Sequence, residues 1–149
     1  MYNVDFFKGY NGKVLIGLTP EEVIKNIPDY ETTLWGYNHS DRRDFFQILI
    51  SYYDKENKIC EAIQFVDKDT KVYINGVQFM DTPEKNLIPK LKKIFPNEVG
   101  FSNNELYIFP EKSISFFVTE GSVGGIMIGK QGYFDDIKNE TGPARWRRF

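Results

Sequence analysis

Few side chains in this chain are of a type that does chemistry, and each is poorly placed for it. His39 is the one histidine, so any histidine acid–base pair or histidine-activated nucleophile has to use it. Its neighbours Asn38, Ser40, Asp41, Arg42, Arg43 and Asp44 offer a hydroxyl and carboxylates. Residues adjacent in sequence seldom meet in triad geometry, however, and the segment reads as a solvated loop. Cys60 is the single cysteine and lies in the alternating run Lys58-Ile59-Cys60-Glu61-Ala62-Ile63. No glycine-rich or strongly basic segment surrounds it to favour a thiolate, so a buried structural thiol is expected. Gly124-Gly125-Ile126-Met127-Ile128-Gly129-Lys130 has the glycine and lysine spacing of a phosphate-binding loop. Gln131 follows where a magnesium-holding serine or threonine belongs, and the apolar interior reads as a strand. Asp135, Asp136 and Glu140 are oxygen ligands suited to a hard cation, but they lack the alternating spacing of a calcium loop and read as an acidic turn. One histidine and one cysteine cannot build a usual zinc site. The expectation is a chain without catalytic residues, metal or cofactor.

Charge and aromatic placement point instead to a binding surface. The net charge is −2, but Gly142–Phe149 carries Arg145, Arg147 and Arg148 and no acid, which leaves the preceding residues at −5. Three arginines among aromatics are a small footprint for nucleic acid. The tail is expected either to be disordered or to fold back with Trp146 and Phe149 packed. An acidic body suits a basic partner, which it would find by electrostatic steering. Trp35 and Tyr37 fall in a polar segment where large amphipathic rings serve as interface anchors, or pack over the open end of a sheet. The partner-binding candidates are therefore Trp35, Tyr37, Asp41, Asp44, Tyr133, Asp135 and Asp136.

These residues hang on elements that recur at a spacing of about 63 residues. Thr19-Pro20-Glu21-Glu22 returns as Thr82-Pro83-Glu84-Lys85, Ile50-Ser51-Tyr52-Tyr53 as Ile114-Ser115-Phe116-Phe117, and Ile63-Gln64-Phe65 as Ile126-Met127-Ile128. A nearly constant offset over three segments predicts a duplicated unit. The first helix starts at Thr19, with a capping box to Glu22 and a staple from Leu18 to Val23, and Pro28 ends it. Residues 29–44 read as a long loop or a short helical turn. Strands are expected over 45–54 and 59–66, then over 71–80 with the Asn75-Gly76 turn dividing it. A second helix, capped by Asp81 or Thr82, carries Leu87, Leu91, Ile94 and Phe95 at helical spacing, with Pro89 kinking it or delaying its start. Three more strands follow, over 106–109, 113–119 and 123–129. The fold class is α+β: two repeated helix-plus-antiparallel-sheet units, 12–66 and 72–129, forming one continuous or paired sheet with helices on one face. Together with a tail over 130–149 they make a single domain, 1–149.

The opening Gly12-Lys13-Val14-Leu15-Ile16-Gly17-Leu18-Thr19-Pro20-Glu21-Glu22-Val23-Ile24 resembles that of small bacterial helix-plus-sheet proteins. Among these are the β-lactamase inhibitory proteins, themselves tandem repeats, and the small lipoproteins of outer-membrane assembly. This chain lacks their disulfides and lipidated cysteine. The resemblance implies a scaffold that binds another protein, and cytoplasmic immunity proteins of toxin systems are similar in size, acidity and want of catalytic residues.

At 149 residues with 41% apolar and 16% aromatic side chains, the chain has the material for one good core. A lone cysteine and the lack of an apolar leader or spanning segment lead us to expect a cytoplasmic protein with no membrane partner. The function expected is that of a non-enzymatic binding module, an immunity or inhibitor protein covering a basic bacterial toxin. The alternatives are a small ligand-binding domain or enzyme using a groove between the repeats, and a structural or self-associating subunit.

Overall fold

A computed structural model describes residues 3–5, 14–27, 33–37, 41–135 and 146–149. The fold is mixed α+β and is mostly antiparallel sheet. In chain order come β1 (Asn3–Asp5), α1 (Pro20–Lys25), β2 (Thr33–Tyr37), β3 (Asp41–Phe45), β4 (Leu49–Tyr53), β5 (Cys60–Phe65), β6 (Lys71–Ile74) and β7 (Val77–Gln78). Then follow α2 (Glu84–Ile94), β8 (Phe101–Asn103), β9 (Leu106–Phe109), β10 (Ile114–Thr119), β11 (Ser122–Gly129) and β12 (Arg147–Arg148). Nine strands form one sheet in the order β12-β8-β9-β10-β11-β5-β4-β3-β2, and β1, β6 and β7 form a small second sheet.

Local chemistry accounts for the turns and starts. Thr19 caps α1: its Oγ1 accepts the Glu22 amide while the Glu22 carboxylate accepts the Thr19 amide, which satisfies two otherwise unpaired donors. The β6–β7 and β10–β11 hairpins turn on Asn75-Gly76 and Glu120-Gly121. Both residues of each pair have positive φ, the geometry whose twist matches that of the flanking strands. The α2 start differs from expectation. Pro83 occupies the cap position without a side-chain bond, and Thr82 Oγ1 instead accepts from Lys90 Nζ at 3.1 Å. Pro89 sits inside the helix, which runs from Glu84 to Ile94 around it.

Within 29–44, where a long loop or a short helical turn was expected, the described residues form β2 and β3, a strand pair. The expected strand over 45–54 likewise divides. Phe45 closes β3, and β4 begins only at Leu49.

The sheet has one buried and one half-open face. Strand register lines up Leu49, Phe65, Ile126, Phe116 and Tyr107 across five strands, and all of them are buried. Leu87 and Leu91 of α2, Val23 of α1, and Val72, Ile74 and Phe79 of the small sheet join them in one cluster. Adjacent to that row, a second register row runs Phe45, Ile50, Gln64, Met127, Ser115, Ile108 and Phe101 on the opposite face. No described helix covers this row. Phe45, Ile50, Gln64, Met127 and Phe101 are half-exposed, Ser115 and Ile108 are buried, and nearby Phe117 is 38% exposed.

The tail end is packed. β12 pairs with β8, and the Phe149 ring lies 5.4 Å from Phe109 and 5.8 Å from Tyr107. Phe149 exchanges two backbone hydrogen bonds with Gly100, and a Cβ on Gly100 would overlap its ring. Arg147 and Arg148 stay exposed, with no acidic partner among the described residues. No helix of the described residues is long and apolar enough to cross a membrane.

Candidate functional site

The chemistry-bearing side chains that the fold brings together lie at one end of the sheet, where β3 begins, β4 ends, β5 begins and β11 ends. A cleft of about 260 Å³ opens there, lined by Arg42, Arg43, Tyr52, Tyr53, Lys55, Glu61 and Tyr133. Register places Arg43 opposite Tyr52, and the guanidinium carbon stands 5.3 Å from that ring's centre. Arg42 stands 5.4 Å from the centre of the Tyr53 ring.

A bulge shapes the mouth of the cleft. Tyr52 pairs with Ala62 and Tyr53 with Cys60, which leaves Glu61 opposite neither. The extra residue re-aims the strand, and Glu61 meets Lys130 at 2.7 Å. Gly129 provides the space for Tyr133, since a Cβ there would overlap the Tyr133 side chain.

Beneath the cleft lies a buried polar chain. Asp44 is 0% exposed, accepts from the Tyr53 hydroxyl at 2.9 Å and pairs with Arg42 Nε at 3.0 Å. Ser51 Oγ lies 2.9 Å from the Tyr53 oxygen. No buried side-chain polar atom among the described residues lacks a partner, as expected where desolvation is costly. Burial holds the Tyr53 phenol well above its ordinary range, with the Asp44 charge adding to the shift. Burial also raises Tyr52 and Tyr133, against a lowering by Arg43. All three phenols therefore remain protonated donors near neutrality. Tyr52 donates to Gln64 Oε1 at 2.8 Å.

The net electrostatics of the cleft follow from these pairings. Asp44 offsets Arg42 and Lys130 offsets Glu61, whereas Arg43 and Lys55 have no acidic partner among the described residues. These two cations line the cleft together with Tyr133, on a protein whose net charge is −2.

The expected partner-binding residues are scattered by this arrangement. Asp44 is corrected: its carboxylate is sealed inside the chain and neutralised, so it presents nothing to a partner. Tyr133 lines the cleft, and Asp135 is exposed on the turn beyond it. Trp35 and Asp41 hold backbone positions opposite Arg43 and Tyr37 respectively. His39, Asp136 and Glu140 lie outside the described residues. The phosphate-loop spacing at 124–130 falls on β11, whose strand runs through Gly129. Arg43, Tyr52 and Lys55 were not anticipated as site residues. The one signal for them was an arginine pair preceding a Tyr-Tyr pair, and only strand pairing turns it into a contact.

Cys60 is buried, with its thiol pushed up to about 12 from 9.0, chiefly by burial. A folded pKa above the unfolded one contributes stability that is complete below pH 9 and fades as pH rises towards 12. The unfolding free energy of the parent should therefore fall more steeply over that alkaline window than that of Cys60→Ala. Equal slopes in urea titrations at stepped pH would refute this.

No known protein family, curated protein or solved structure matches this chain.

Proposed function

We propose that the chain is a non-enzymatic protein-binding module that holds one protein partner against the half-open face of its nine-stranded sheet. The observation that carries this reading is the row of Phe45, Ile50, Met127 and Phe101, flanked by Phe117, on the face that no described helix covers. Half-exposed apolar and aromatic side chains gathered on one rigid surface are the usual material of an interface centre. Inhibition of a toxin, as an immunity protein does, is the form of this activity that we favour. Asp44, expected to steer the partner, is not part of the reading, because it is buried.

We also infer that two related units build the surface. Support comes from the strand order, since α1 precedes the consecutive strands β2 to β5 and α2 precedes β8 to β11. The sets meet at β5 and β11, where Ile63 pairs with Ile128, Gln64 with Met127 and Phe65 with Ile126. Given the matched segments Ile63-Gln64-Phe65 and Ile126-Met127-Ile128, this crosswise pairing is what a twofold relation between the units generates.

The test is retention of a stoichiometric partner by the tagged protein in extracts of its own cells. Phe117→Asp should weaken that retention by about tenfold while leaving the thermal midpoint close to the parent's, because the exposed site buries a charge only in the complex. Retention of the same partner by this variant at parental strength would remove the sheet face from the proposal.

A further inference from the structure

We propose that the cleft between Arg43, Lys55 and Tyr133 is a binding site for a phosphate monoester. It uses different residues from the sheet-face reading, although Arg43 and Tyr52 share the face of Phe45 and Ile50 two positions along their strands.

The argument rests on charge, donors and size together. Of the cleft's charged groups, Arg42 is satisfied by buried Asp44 and Glu61 by Lys130, so the ligand meets the two remaining cations, Arg43 and Lys55. A monoester dianion offers close to two negative charges near neutrality and three terminal oxygens. Arg43 can grip two of those oxygens with its planar fork, and Lys55 acts as a point charge on the third. The half-buried Tyr133 hydroxyl has no hydrogen-bond partner among the described residues and remains protonated, so it is a further donor at the cleft wall. A carboxylate would leave one cation unmatched and has only two oxygens.

Pre-organisation adds to the case. Arg43 is held over the Tyr52 ring, and Tyr52 is itself fixed by its bond to Gln64. Tyr133 lies against Gly129, where no side chain competes for the space. Groups already in place lose less freedom when a ligand arrives. The volume of about 260 Å³ falls below that of pockets for drug-sized ligands. It suits one phosphate with a small organic group, and the walls of Tyr52 and Tyr53 provide the apolar contact for that group.

Two ligand sources share this chemistry: a free phosphorylated metabolite and a phosphorylated side chain of a protein. The probes are inorganic phosphate, phenyl phosphate, free O-phosphoserine, a phosphoserine peptide and acetate. Each is titrated into the full chain, with calorimetry for affinity and amide and side-chain NMR shifts for location. Phosphate and phenyl phosphate should shift Arg43, Lys55 and Tyr133. The affinity of phenyl phosphate should rise as pH is raised through its second ionisation at about 6. Arg43→Gln and Lys55→Gln, both on the surface, should each weaken phenyl phosphate by about tenfold, the loss of one charge-assisted contact. Gly129→Ala should weaken it by displacing Tyr133. A peptide that binds more tightly than free O-phosphoserine assigns the ligand to a protein, whereas equal affinity assigns it to a small molecule. Acetate binding as well as phenyl phosphate, or phenyl phosphate affinity unchanged in both Arg43→Gln and Lys55→Gln with the fold intact, would overturn the proposal.

Discussion

Replacing Asp44 by alanine is expected to lower the unfolding free energy by about 3 kcal/mol, the lower part of the range for breaking a buried ion pair by removing one partner. Two groups lose their acceptor at once. The Tyr53 hydroxyl, 2.9 Å from the carboxylate, would be left with Ser51 alone, and Arg42 would keep its charge beside a void. The lower part of the range is appropriate because the Arg42 side chain is 28% exposed and can turn part of its guanidinium to water. Asp44→Asn should cost less, since its amide oxygen still accepts from Tyr53 while the attraction for Arg42 is lost. Urea unfolding followed by circular dichroism measures both. A loss under about 1 kcal/mol for alanine would mean that the pair is held mainly by its surroundings. The variant also tests the cleft floor, because Tyr53 and Arg42 form two of its walls.

The second large effect is at the last residue. Phe149→Ala should destabilise the fold by about 2 kcal/mol, less than a fully buried phenylalanine because part of the ring stays exposed. The ring packs edge-on against Tyr107 and Phe109 and occupies the volume that a side chain at Gly100 would need. Gly100→Ala should cost a comparable amount by pushing the ring away. The two losses should not add, because each removes the same packing. A double variant no worse than about the poorer single one would demonstrate that coupling. Full additivity would show that Gly100 is constrained by its backbone and not by Phe149.

Much of the framework was legible because it is written in local signals. Alternating burial along Leu49–Tyr53, positive-φ pairs at Asn75-Gly76 and Glu120-Gly121, and the Thr19 capping box are all short-range chemistry. The missed strands lacked such signals. β3 reads Asp-Arg-Arg-Asp-Phe, a composition that suggests solvent, and only Tyr52, Ser51 and Tyr53 on the neighbouring strand make it tolerable inside a sheet. β8 and β12 are three and two residues long, too short for any period to appear. The second helix cap failed for a related reason: Lys90, eight residues away, takes the Thr82 hydroxyl that the pattern assigned to capping.

The site was less legible than the fold. Asp44 looked like a steering carboxylate because sequence shows a charge but not its partner nine residues further on. Arg43 and Tyr52 are likewise separate in sequence and adjacent only through register. Tyr133, expected to face a partner, lines the cleft, because Gly129 at the end of β11 leaves the room that its side chain occupies.

The two-residue strand beside β8 has a further bearing on the behaviour of the protein in concentrated solution. A sheet nine strands wide ends in two rims, and an open rim is a template on which copies of a chain can polymerise. Here one rim is finished by Arg147 and Arg148, both exposed. A second copy approaching along it would have to crowd like-charged guanidinium groups together, so that border acts as a gatekeeper against fibre growth.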